Sequence, residues 1–288
     1  MTWRLGITHR TGYRYGGPVS SSYNEARLTP RTEEGQLVLD HRIDISPTAQ
    51  VSRYTDYWGT EVTSFDLHIP HDALEVTAHC VLESAVAAPV DGTGAQSHEA
   101  TVTWDELAED AVRDRWVELL LPTRFTTADE RILAVSEELR RLTNPLTAAL
   151  AAVDWVRDQM SYVSGATGVH TSATDALAEG KGVCQDFAHG TLALLRSLGI
   201  PGRYVSGYMH PDRKAPLGVT VAGESHAWIE YWTGAWRGYD PTNGRIPDEA
   251  YAVVARGRDY LDVAPMRGLY TGAAQSELQV SVDVTRLA

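Results

Sequence analysis

A chain of 288 residues, 43% hydrophobic and 22% charged, has the composition of a globular protein and room for one large domain or two ordinary ones. Its formal net charge of -13 argues against a nucleic-acid partner, because phosphate backbones select Lys/Arg surfaces. No segment approaches the roughly 18 consecutive apolar residues of a membrane span, and MTWRLGITHRTGYRYGG holds no apolar stretch of signal-peptide length, so no membrane association and a cytoplasmic location are expected.

In chain order, residues 1–86 read as a β-rich N-terminal region, sandwich-like or barrel-like, with strands at 3–16, 36–46, 51–57, 59–69 and 73–84. Turn signals separate them at Gly16-Gly17-Pro18, Ser46-Pro47 and Pro70-His71. The small, polar stretch 87–100 (AAPVDGTGAQSHEA) reads as a linker, and 101–288 as a second unit. Helices open that unit. Thr103 with Glu106 and Thr127 with Glu130 have the spacing of capping boxes, and Asn144 before Pro145 fits the N-cap and first position of a helix over 145–160. From Val183 the apolar positions Phe187, Ala188, Leu192, Leu194, Leu195 and Leu198 recur at helical spacing, and Gly199 with Pro201 supplies the stop. Strand patterns return in GRYVSGYM, SHAWIEYW and AWRGYDP, and LQVSVDVTRL closes the chain with clean alternation. Strands, then helices, then strands make an α+β chain.

The two cysteines are too few for a disulfide framework or a four-thiolate zinc site, and their settings differ. Cys80 alternates with polar positions in LEVTAHCVLE, which predicts a buried, inert thiol on a strand. Cys184 stands at, or within one turn of, a helix start, after Gly180 and Gly182. Unpaired backbone N–H groups and the positive end of the helix dipole favour a thiolate there, and the same N–H groups can hold an oxyanion. A thiol nucleophile needs a base, and the base needs an orienting acceptor. His226 begins one strand and Asp240 ends the next, joined by the hairpin WTGAW, so antiparallel pairing brings the two to one edge of a sheet that Cys184 can face.

GVCQDFAHGTLALLRSLGIPGRYVSGY, GESHAWIEYW and AWRGYDPTNG, in that order and each with its Cys, His or Asp, resemble the bacterial transglutaminase-like cysteine enzyme superfamily. YRYGGPVSSSYNEARLTPR and YWGTEVTSFDLHIPH resemble the β-rich region that precedes this core in many bacterial members. The resemblance implies a papain-like core in which a cysteine-bearing helix packs on an antiparallel sheet carrying His and Asp. It makes Cys184 the nucleophile, His226 the general base and acid, and Asp240 the residue that orients His226. It also implies an oxyanion hole from the Cys184 backbone N–H and an upstream aromatic side chain, for which Tyr162 is the candidate.

Other residues have plainer readings. His189, five positions after Cys184, lies about 140° past a full helical turn and points away from it, and Asp186 suits the helix dipole. His68, His71, His170 and His210 are scattered, without metal-ligand spacing, so no metal and no cofactor are expected. Trp228, Tyr231, Trp232 and Trp236 read as core and pocket wall. Gly199, Gly202 and Gly207 do not form a phosphate loop. The expected function is hydrolysis of a peptide, isopeptide or other amide bond through a thioester, on a protein, a peptide or an amide-containing small molecule. A transglutaminase that passes the acyl group to an amine uses the same residues, and a scaffold with a vestigial triad is the third reading. The loop 209–223, which joins two strands beside the site, is the natural seat of specificity.

Overall fold

The structure is a computed structural model that describes residues 2–85, 101–272 and 275–288. The expected linker at 87–100 lies outside the described residues. Five strands come first: β1 (Thr2–Ala26), β2 (Gln36–Ser46), β3 (Gln50–Thr55), β4 (Glu61–Leu67) and β5 (His71–Ala85). Alternation along β1 buries Trp3, Leu5 and Ile7 on one face, as the pleat requires. The strand does not end at the Gly16-Gly17-Pro18 turn signal, and this corrects the sequence reading. Instead β1 runs on to Ala26 with a register shift between Arg14 and Val19. Glycine and a proline without an N–H serve here as an irregularity within a strand, where it changes partners, and not as a reversal of the chain.

The helical part holds α1 (Trp104–Leu107), α2 (Asp110–Arg115), α3 (Val117–Leu120), α4 (Glu130–Leu139) and α5 (Pro145–Gln159). Thr103 and Glu106 form their capping box, and the Asn144 side chain accepts from Thr147 N to cap α5. The second box does not form. The Thr127 hydroxyl donates to the Thr123 carbonyl at 2.9 Å, and Asp129 caps α4 by accepting from Ile132 N at 2.8 Å.

Next come β6 (Ser161–Tyr162), α6 (Ala173–Glu179), β7 (Lys181–Gly182) and α7 (Cys184–Ser197). Every residue of α7 from Gln185 to Arg196 is buried, so this helix is the spine of the core. It stops where Gly199 takes φ 76° and Ile200 N returns to the Leu195 carbonyl. The chain ends with β8 (Gly202–Met209), β9 (Thr220–Gly223), β10 (Ser225–Trp232), β11 (Trp236–Tyr239), β12 (Tyr251–Gly257), α8 (Tyr260–Val263), β13 (Met266–Gly272) and β14 (Ser276–Arg286).

Among the described residues these strands form two main sheets. An antiparallel sheet ordered β11-β10-β8-β12 lies against α7. The larger, curled sheet runs β2-β5-β1-β14-β9, with β13 and β4 on the second half of β1 and β3 on β4. Late segments of the chain, β9, β13 and β14, therefore complete the sheet that the first residues begin. Leu5, Leu82, Val282 and Val284 of that sheet share one apolar core with Leu192 and Leu195 of α7. A smaller cluster around Phe65, Leu74 and Val76 fills the curl.

Candidate active site

Cys184 is the first residue of α7 and is half-buried. The junction that places it is tied by Asp186, whose Oδ2 accepts from Val183 N at 2.8 Å and from the Thr167 hydroxyl. Asp186 is wholly buried, and burial pushes its carboxyl up. A Cβ on Gly182 would stand 2.7 Å from the Asp186 side chain, so only glycine lets the strand approach so closely. Asp186 thus joins the helix start to the 163–168 segment, a larger task than a favourable charge at a dipole.

His226 and Asp240 meet as the hairpin predicts. β10 and β11 pair antiparallel with Ile229 opposite Tyr239, which brings the start of one strand beside the end of the other. His226 Nε2 lies 2.7 Å from Asp240 Oδ2. Asp240 has no exposed surface, and its carboxylate is heavily supplied with donors. Oδ2 also accepts from the Tyr251 hydroxyl at 2.7 Å and Asn243 Nδ2 at 2.7 Å, and Oδ1 accepts from the backbone N–H groups of Thr242 at 2.9 Å and Asn243 at 3.1 Å. Arg245 Nε donates in turn to the Tyr251 hydroxyl at 2.8 Å. Burial pushes the Asp240 carboxyl up, but the hydrogen bonds and the His226 charge outweigh it and hold the group at about 2. Burial pushes the His226 imidazolium down, and hydrogen bonds and charges from Asp240 and Cys184 outweigh that, raising it to about 9. Asp240 and Cys184 are thus both partners of one buried ring.

Tyr162 reaches the same place by a different route. β6 and β7 pair in parallel with Tyr162 opposite Gly182, two residues before Cys184. Its hydroxyl donates to Glu224 Oε2 at 3.3 Å, and burial, Glu224 and Cys184 together raise it to about 12. Half of Tyr162 is exposed, which leaves it at the mouth of the site.

Asn243, Tyr251 and Glu224 escaped the sequence reading. The Asp240–Asn243 spacing is that of a side chain capping its own turn, and it was the one signal that could have singled out Asn243. Tyr251 follows Asp240 by eleven positions and begins a strand on the far side of β8, so no local pattern links them. His189 lies away from the site, stacked on Phe125 at 4.8 Å, with its Nε2 accepting from Tyr260 N. Trp228 is buried between His226 and Tyr251, and Trp232 and Trp236 pack on Trp116. In the loop 209–223, Arg213 pairs with Asp248, and β9 joins the large sheet through β14.

Residues 134–241 match the family model of the transglutaminase-like superfamily, and residues 5–83 match that of the bacterial transglutaminase-like N-terminal region. An uncharacterized protein of Mycobacterium leprae is 49% identical over 286 residues, covering 99% of this chain and 100% of its own. The chain belongs to the transglutaminase-like superfamily. Within this superfamily, an uncharacterized protein of Mycobacterium tuberculosis is 35% identical over 303 residues, covering 98% of this chain and 93% of its own. A Pseudomonas aeruginosa protein named as a protein-glutamine gamma-glutamyltransferase is 30% identical over 173 residues, covering 54% of this chain and 25% of its own. The fold is shared with a candidate cysteine protease from Cytophaga hutchinsonii, whose crystal structure aligns at TM-score 0.75 and 21% identity over 99% of this chain and 98% of that one. No helix among the described residues is long and apolar enough to cross a membrane.

Proposed function

We propose that this transglutaminase-like protein is a cysteine-dependent acyl-transfer enzyme that hydrolyses a peptide, isopeptide or other amide bond through a thioester on Cys184. The observation that carries this reading is the His226 ring, bound by Asp240 and Cys184 at the N-terminus of α7. With Nε2 on Asp240, Nδ1 is the nitrogen left for the sulfur. His226 takes the Cys184 thiol proton, Sγ attacks the amide carbonyl, and a C–S bond forms as the carbonyl oxygen becomes an oxyanion. The Cys184 N–H, in the first turn of α7 and without an intrahelical acceptor, faces that charge, and the Tyr162 hydroxyl is the second donor. Collapse breaks the C–N bond, and His226 gives its proton to the departing amine. Water, deprotonated by His226, then attacks the thioester, and the acid leaves as the sulfur is restored. Asp240 keeps the ring oriented throughout.

Glutamine acyl transfer to an amine is the second reading, and the Pseudomonas relative's name supports it. Every protein group in the first half-reaction is common to both. A cytoplasmic setting, with Cys80 and Cys184 both free thiols, belongs to the same proposal.

Mass spectrometry of the protein with glutamine-containing peptides, with and without a primary amine, tests the assignment. An acyl adduct on Cys184 that is absent from Cys184→Ala is expected. Cleavage or conversion of glutamine to glutamate identifies a hydrolase, whereas an amine-linked product identifies a transferase. Turnover that survives Cys184→Ala, or no adduct with any acyl donor, overturns the reading in favour of a scaffold.

A further inference from the structure

The N-terminal sheet carries a polar cleft of about 440 Å³ on segments that supply none of the groups around Cys184. Three stretches converge on it: residues 29–32 between β1 and β2, His41 on β2, and the β3–β4 hairpin at Gly59 and Glu61. The Arg31 guanidinium lies over Gly59, so close that a Cβ there would stand 2.8 Å from one of its nitrogens. Its hydrogen bond is a long one, 3.4 Å to the Trp58 carbonyl, and it has no carboxylate partner among the described residues. Glu61 sits on another wall, 3.6 Å from His41 Nε2 and 3.9 Å from Arg53 Nε.

Polar groups at these walls lack hydrogen bonds. Thr29 is 4% exposed, and its hydroxyl finds no hydrogen-bond partner among the described residues. The facing atoms of His41 and Glu61 are also buried and outside hydrogen-bond reach of any described group. Buried polar atoms are normally satisfied, and here Thr29 Oγ1 has no hydrogen-bond partner, while His41 Nε2 and Glu61 Oε1 are left with ion-pair contacts of 3.6 and 3.9 Å, longer than hydrogen bonds. The mixture of charge defines what fits. A guanidinium presents a planar fork that matches a carboxylate, a threonine hydroxyl adds a neutral donor, and Glu61 accepts from an N–H while repelling a polyanion. No Phe, Tyr or Trp lines the cleft among the described residues.

We propose that this cleft is a second binding site, for a small molecule bearing both a carboxylate and an N–H donor, which is the chemistry of a free amino acid or a peptide C-terminus. The carboxylate is held by Arg31 and the Thr29 hydroxyl, and the amine or amide N–H by Glu61. Binding here does not require Cys184.

Titration calorimetry on the 288-residue Cys184→Ala chain tests this with L-glutamine, glycylglycine and inorganic phosphate as probes. Saturable binding of the two carboxylate probes is expected, with phosphate weaker. Arg31→Ala should weaken both carboxylate probes about tenfold or more, and Glu61→Gln should weaken them too, with thermal melts unchanged. Amide NMR shifts in the unsubstituted Arg31 chain supply a readout that does not depend on the variants folding, and changes at 29–32, 41 and 59–61 are expected. No saturable binding of either carboxylate probe, equal affinity after Arg31→Ala, tighter binding of phosphate, or shifts confined to the surroundings of His226 would each overturn the proposal.

Discussion

Asp240 is a carboxylate with no exposed surface, and a bare charge in that position would be prohibitive. It is tolerated because His226, Tyr251, Asn243 and the turn backbone all donate to it. The consequence falls on His226, which keeps its proton up to about 9. In the proposed reaction His226 is the general acid, so kcat/KM should show an alkaline limb near that value, and Asp240→Asn should shift the limb to lower pH; an unshifted limb assigns it to another group. Stability follows with a definite sign. A histidine raised from 6.5 to about 9 binds its proton more tightly folded than unfolded, so its stabilisation is complete below pH 6.5 and is lost as pH rises to about 9. Asp240, lowered from 3.8 to about 2, contributes stability above pH 3.8 that is lost as pH falls through about 2. Melting temperature should therefore decline between pH 6.5 and 9, and His226→Ala should flatten that decline. The cysteines separate as well. Burial pushes the Cys80 thiol up to about 12, so iodoacetamide at neutral pH should label Cys184 and spare Cys80. Peptide mapping that finds Cys80 labelled first would contradict the structure.

At the scale of elements, the cysteine is aimed by the β7–α7 junction, and that junction is held from within by Asp186. Removing its carboxylate strands the Val183 N–H and the Thr167 hydroxyl in a partly buried setting. Asp186→Ala should cost about 1–3 kcal/mol in urea denaturation and lower kcat more than it raises KM. Asp186→Asn, which keeps an acceptor, should recover part of both. Equal kcat in the alanine variant would show that Cys184 is positioned without it. The β10–β11 hairpin is the complementary device. Its register sets His226 beside Asp240, and the sequence revealed this because hairpin pairing follows from strand pattern and turn length. Tyr251 was not legible in the same way. It comes from β12, two strands from β10 and three from β11 in the sheet order, so only the assembled sheet brings it to Asp240.

The molecule as a whole is closed by its last strand. β14 pairs with β1 from Leu5 to Tyr15, carries β9 on its other edge, and places Val282 and Val284 in the core that α7 occupies. Deleting residues 276–288 should therefore do more than trim an edge. It opens the main core and leaves β1 and β9 with unpaired backbone, so the truncated chain should lose its cooperative thermal transition by circular dichroism. A truncated chain that melts near the temperature of the full one would show that the core closes without β14.

The amino-acid order alone determined the parts whose physics is local. The helix stop at Gly199, the caps at Thr103 and Asn144 and the hairpin that joins His226 to Asp240 all depend on neighbours within a few residues or across one turn; the alternation expected along β14 holds only at Val282 and Val284, since Leu278 and Val280 are exposed. The same locality misled at Gly16-Gly17-Pro18, where a signal for reversal became a bulge because partners far along the chain continued the strand on both sides. It misled again at Thr127, whose hydroxyl found a nearer carbonyl. Only the tertiary structure decided that β9, β13 and β14 complete the first sheet, that Tyr251 and Asn243 hold Asp240, and that Arg31, His41 and Glu61 share a cleft. These are long-range pairings, selected by total apolar burial and by the need to satisfy buried polar groups, and neither quantity exists until the chain is assembled.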